Sequence, residues 1–135
     1  MRIVLDTNVF VSGVFFRGPP GEIIDAWHAE HIQLVVSLEI LDEYQRVGAE
    51  LAVKYPAVDL APVLQYLAVN AEICDPPPLD EQVCEDADDD KFLACAIAVG
   101  AECVVTGDKL LLKVAEYRGV EVLRPRDFVD RHLAK

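Results

Sequence analysis

Residues 83–98 read Val-Cys-Glu-Asp-Ala-Asp-Asp-Asp-Lys-Phe-Leu-Ala-Cys-Ala-Ile-Ala, acids crowded ahead of an apolar run. The apolar part predicts a buried helix that begins near Asp89 and stops at Gly100, a residue suited to a helix C-cap. The acids then occupy its first turn, at the positive end of the helix dipole. One or two acids there would serve as caps and solvate a loop. Asp88, Asp89 and Asp90 in succession repel one another, and a divalent cation relieves that repulsion. What the chain can do depends on whether other carboxylates reach the same place.

Several apolar runs are short enough to be strands. Arg2-Ile3-Val4-Leu5 suits a buried strand and puts Asp6 at its carboxyl end. Thr7, Asn8 and Ser12 follow, small polar groups able to hold a carboxylate or a water. Val9 to Phe16 starts a first helix, Arg17 to Gly21 reads as a loop by its breakers, and Glu22 to Glu30 has helical spacing. Ile32 to Val36 is a second strand. Ser37 is the expected N-cap of a helix from Leu38 to Leu51, on which Glu39 and Glu43 share a face. Asp59 to Val69 is expected to be helical with Pro62 in its first turn, and Ala71 to Cys74 to be a short strand. A proline loop, Asp75 to Asp80, leads to the acidic helix. Glu102 to Thr106 is a strand followed by Gly107-Asp108. Lys109 to Tyr117 is expected to be helical, Gly119 to Leu123 a strand, and Arg126 to Leu133 a closing helix.

Strands alternating with helices imply one α/β domain over 1–135, three layers deep, with a mainly parallel sheet. Asp6 and Asp108 then share the carboxyl edge of the sheet. A helix that leaves the 71–74 strand through the proline loop begins at that edge too, and Glu43 enters from the helix after the second strand. Such a set of acids suits Mg²⁺ or Mn²⁺ and not zinc, because His28, His31 and His132 fall in no zinc pattern. A metal held this way activates water and stabilises charge on a phosphate. There is no phosphate-binding glycine loop and no Ser or Cys nucleophile with a neighbouring His.

The net charge of −12 argues against nonspecific binding of polyanions. From Lys109 onward the chain is nevertheless locally positive, through Lys109, Lys113, Arg118, Arg124, Arg126, Arg131 and Lys135. The four cysteines form no C-x-x-C pair and read as reduced thiols of a cytoplasmic protein.

Leu5-Asp6-Thr7-Asn8, Glu43 within Ser37 to Tyr44, Asp88-Asp89-Asp90-Lys91-Phe92-Leu93-Ala94 and Val104-Val105-Thr106-Gly107-Asp108 closely resemble the motifs of PIN-domain nucleases. The nearest subgroup is the VapC-like toxins of prokaryotic toxin–antitoxin systems, whose ending Val120 to Phe128 also resembles. The resemblance implies a Mg²⁺- or Mn²⁺-dependent endoribonuclease acting on RNA, held by an antitoxin protein and forming a homodimer. Asp6, Asp90 and Asp108 match the metal-binding acids, with Asp89 competing for the place of Asp90. Glu43 matches the glutamate that orients or deprotonates the attacking water, and Asn8 and Thr106 match supporting residues. Relatives often carry a further acid two positions after Asp108, where this chain has Leu110. A second reading makes the protein chiefly the folded half of a complex, its acidic cleft filled by a Lys/Arg-rich tail. A phosphotransferase with Asp6 as nucleophile is weaker, because those enzymes want a second aspartate at the position of Asn8.

Overall fold

The first strand, β1 (Arg2–Leu5), is buried along Ile3, Val4 and Leu5, as a run without polar alternation must be in a sheet covered on both faces. The computed structural model describes residues 1–133. After β1 come α1 (Thr7–Phe15), α2 (Pro19–His28), β2 (Gln33–Ser37), α3 (Leu38–Lys54), α4 (Ala61–Asn70) and β3 (Glu72–Cys74). A 3₁₀ turn, Ala87–Asp89, leads into α5 (Asp90–Val99), followed by β4 (Cys103–Val105) and α6 (Lys109–Leu112). The chain finishes with β5 (Glu116–Tyr117), β6 (Val120–Leu123), α7 (Pro125–Phe128) and a π-helical turn over Val129–Leu133.

The sheet runs β3-β2-β1-β4-β6-β5, parallel throughout except for β5. This is the expected α/β fold, a mainly parallel sheet flanked by helices. The chain moves outward from β1 to β2 and β3, then α5 carries it back across β1 to β4. The order therefore reverses between β1 and β4, and the region beyond the carboxyl ends of those strands is where open α/β sheets bind ligands. Right-handed crossovers in opposite directions put α5 on the face opposite α1 and α2. Its apolar side, with Phe92, Leu93, Cys95 and Ala96, is buried against the sheet. Gly100 ends α5 in the left-handed conformation at φ 68°, and the Ala101 N–H reaches back to the Ala96 carbonyl at 2.8 Å. Ser37 caps α3 as expected, accepting from the Ile40 N–H.

Three local expectations are corrected. Pro19 and Pro20 are not loop residues but occupy the first turn of α2, where the missing N–H groups cost nothing. The helix expected over Lys109 to Tyr117 stops at Leu112, and Glu116–Tyr117 pairs antiparallel with β6. Arg118 and Gly119 both have positive φ, 51° and 84°, which is the two-residue hairpin turn whose twist matches the strands. The closing helix is α-helical only through Phe128 and widens into the π turn.

The packing of α1 on α2 depends on Gly13. A β-carbon there would lie 2.6 Å from the Pro20 carbonyl oxygen and 2.5 Å from Ile24. Gly13→Ala is expected to cost about 1–3 kcal/mol by forcing the two helices apart, read as a lower urea midpoint at unchanged slope. No helix among the described residues is long and apolar enough to cross a membrane.

Candidate active site

Asp6 stands on the first residue past β1, and its N–H still pairs with the Val105 carbonyl of β4 at 2.9 Å. That bond fixes its side chain at the place where the strand order reverses. Oδ2 accepts the Thr106 hydroxyl at 2.6 Å, and the same hydroxyl oxygen accepts the Asp108 N–H at 3.0 Å. Thr106, fully buried, thus ties the ends of β1 and β4 together. Asp6 is itself only 6 % exposed. Burial raises its pKa; the Thr106 bond and the Thr7 backbone N–H oppose this, and the nearby Asp108 and Glu43 charges add to it.

Asp89 and Asp90 part company at the front of α5. Asp90 Oδ1 accepts the Cys84 N–H at 2.7 Å and Oδ2 the Val83 N–H at 3.2 Å. Both its oxygens are engaged by the loop. Asp89 is buried, and its Oδ2 has no hydrogen-bond partner. Burial, then the charges of Asp6, Asp108 and Asp86, push its pKa up to about 7. The two acids proposed for one place thus differ in surroundings: Asp89 shares the field of Asp6 and Asp108, while Asp90 braces the 83–84 backbone.

Glu43, in the second turn of α3, is the next acid. Its Oε1 accepts the Thr7 hydroxyl and its Oε2 meets Lys91 Nζ at 2.7 Å. Tyr44, the next residue, donates its hydroxyl to the Leu5 carbonyl and stacks on Phe10 at 4.2 Å, which locks this turn of α3 to β1 and α1. Asp108 is half-buried and caps α6 through Oδ1, which accepts the Leu110 N–H at 2.9 Å. Leu110, where a further acid was sought, is exposed and adds no carboxylate. Asn8 is exposed on the first turn of α1, and Glu39 is exposed one turn before Glu43.

A family model described as the PIN domain matches residues 2–110. The chain belongs to the PIN-domain family. No curated protein matches the chain. The match covers the segment that carries Asp6, Glu43, Asp89, Asp90 and Asp108, and the PIN fold is a nuclease-type fold.

Among the described residues of this PIN domain, no three Asp, Glu, His or Cys side chains form a finished ion cage. The groups present nevertheless fit a hard cation. The donors are all oxygens, Asp89 Oδ2 is buried without a partner, and Asp6 and Asp89 are both destabilised as anions, first by burial and then by neighbouring acids. Mg²⁺ keeps several waters and needs only one or two carboxylates, which suits a small group of acids that do not by themselves form a closed cage. Asp6 and Asp89 would hold it, with the charge of Asp108 close by. Sequence reasoning missed Lys91, Asp86 and Tyr44. Only Lys91 left a signal, its place three residues after Asp88 on one helical face.

Beside the acids runs a groove of about 560 Å³ whose lining includes Leu38, Glu39, Pro76, Leu79, Asp88 and Lys91. Leu38 is 70 % exposed there. Arg124 and Arg126 are exposed after the carboxyl end of β6, in no ion pair among the described residues, and Arg126 lines a hollow with Glu22 and Asp25 of α2. Lys113, Arg118 and Arg131 are paired instead with Glu85, Asp80 and Glu121. The positive C-terminal segment is thereby partly neutralised, and Lys135 lies outside the described residues.

Proposed function

We propose that this PIN domain is a Mg²⁺- or Mn²⁺-dependent endoribonuclease acting in the cytoplasm, the toxin of a type II toxin–antitoxin pair. The observation that carries the reading is the buried, unpartnered Asp89 Oδ2 in the field of Asp6 and Asp108. A divalent ion bound there supplies an activated water and neutralises charge building on the phosphate. Asp6 is held in place by Thr106. Glu43 has each oxygen already accepting one bond, and it orients water through a remaining lone pair rather than taking a proton outright. Arg124 and Arg126 contact the phosphate backbone of the RNA.

The test is cleavage of defined single-stranded RNAs by the full chain, with Mn²⁺, Mg²⁺ or EDTA. Cleavage that needs the metal and is lost in Asp6→Asn is expected. Equal rates for parent and Asp6→Asn, with metal still required, would remove Asp6 from the site. Charge reversal at Arg124 and Arg126 is expected to weaken RNA binding several-fold and flatten its salt dependence, measured by fluorescence anisotropy; unchanged binding takes them off the substrate path.

The acidic groove with exposed Leu38 supports a second, compatible reading, in which a basic antitoxin segment with an apolar anchor docks beside the site. A homodimer belongs to the same reading, with the exposed Phe16 and Tyr55 rings, edge to face at 5.0 Å, as its candidate surface. Co-expression with a cognate antitoxin should relieve growth arrest, and Leu38→Glu should restore it. Growth that is unaffected by the protein alone would favour a binding role without catalysis.

A further inference from the structure

Lys91 is a cation among acids, and its placement is unusual for a lysine. Its side chain is 6 % exposed although it sits on the first turn of α5. Nζ meets Glu43 Oε2 at 2.7 Å, Asp88 Oδ2 at 2.8 Å and the Asp88 carbonyl at 3.1 Å. All three ammonium hydrogens are thus used inside the protein. Glu43, 17 % exposed, receives Thr7 on its other oxygen. Among the described residues, the one further cation paired with it is Arg46, at 3.8 Å and 62 % exposed, where solvent screens it.

We propose that Lys91 is the built-in counter-ion of the site: it cancels the charge of Glu43 and keeps that carboxylate off the metal, so that the pocket offers a single divalent-ion position. Lys91 is a positioning residue, acting through Glu43. Two charges buried together are tolerated because each satisfies the other, and removing one leaves the other uncompensated. An unneutralised Glu43 would add a full negative charge to the surroundings of Asp6 and Asp89. An unneutralised Lys91 would add a positive one.

This inference rests on the metal reading above and gives it a signed test. Mn²⁺ is titrated calorimetrically onto the full-length parent and three variants at one pH and ionic strength. The parent should take up one ion. Lys91→Met should bind Mn²⁺ about tenfold more tightly, or accept a second ion, and Glu43→Gln should bind about tenfold more weakly. The double variant should return to within about threefold of the parent, because its local charge is restored. If Glu43 were instead a direct ligand, the glutamine would weaken binding equally with or without Lys91. If Lys91 were only structural, Lys91→Met would bind no more tightly than the parent. Either result overturns the proposal. Melting in EDTA provides a readout free of metal: Lys91→Met should melt lower than the parent, and adding Glu43→Gln should recover part of the loss. A double variant no more stable than Lys91→Met also overturns it, and Lys91→Gln, which likewise removes the charge, serves the titration if methionine prevents folding. A parent that takes up no Mn²⁺ overturns the metal reading instead, and the EDTA melts then judge the Lys91–Glu43 pairing alone.

Discussion

Asp89→Asn is expected to lower metal-dependent RNA cleavage by about 100-fold or more, while Asp90→Asn, one residue along, chiefly lowers stability. The two side chains have opposite surroundings. Asp89 Oδ2 is buried with nothing donating to it and sits among like charges, so the neutral amide relieves repulsion. The metal-free Asp89→Asn protein should melt higher than the parent, yet bind Mn²⁺ poorly. Asp90 accepts two backbone N–H groups, from Val83 and Cys84. An amide can serve only one of them and turns an NH₂ toward the other, a loss of about 1–3 kcal/mol. Cleavage per folded molecule of Asp90→Asn should stay within about tenfold of the parent. The checks are single-turnover cleavage at saturating Mn²⁺ and urea unfolding in EDTA. If Asp90→Asn abolishes metal binding while Asp89→Asn spares it, the assignment is reversed.

The second large effect is on pH. In the metal-free protein the Asp89 carboxyl is pushed up to about 7, against an ordinary value of 3.8. The folded state therefore binds more protons than the unfolded chain across this interval. Its contribution to stability is complete below about pH 4, falls as the pH rises, and is gone above about 7. Asp6, also raised, acts in the same sense. Each pH unit of displacement corresponds to about 1.4 kcal/mol, and 1 kcal/mol moves the midpoint of a domain this size by roughly 3–6 °C. In EDTA the melting temperature should fall by at least roughly 5 °C between pH 5 and pH 8. Asp89→Asn should remove most of that fall, and Mn²⁺ at pH 8 should reverse it. An equally steep fall in Asp89→Asn would place its origin in the general negative charge of the chain.

The strand-and-helix alternation was legible because buried parallel strands carry uninterrupted apolar runs, as Ile3 to Leu5 and Cys103 to Val105 do. Ser37 and Gly100 marked helix ends through chemistry that depends only on neighbours in sequence. Asp6 and Asp108 could be placed at one edge because each follows a strand directly. The choice between Asp89 and Asp90 could not be read, since both lie at the front of one helix. Their surroundings differ through the way the 83–84 loop turns its N–H groups onto Asp90, and that depends on tertiary packing. The Glu116–Tyr117 strand was hidden for a similar reason. Its two residues are too few for a period, and the Arg118-Gly119 turn interrupts a segment whose composition suits a helix. The pairing of Lys91 with Glu43 left no mark in the sequence, because it forms only when α3 is brought against α5.

The bond from Thr106 to Asp6 spans 100 positions of the chain. During translation, β1 emerges first but its acid has no neighbour to hold it until the segment through Asp108 has left the ribosome exit tunnel and β4 has docked. The carboxylate cluster is therefore a late product of folding, assembled only when two strands far apart in the chain lie side by side.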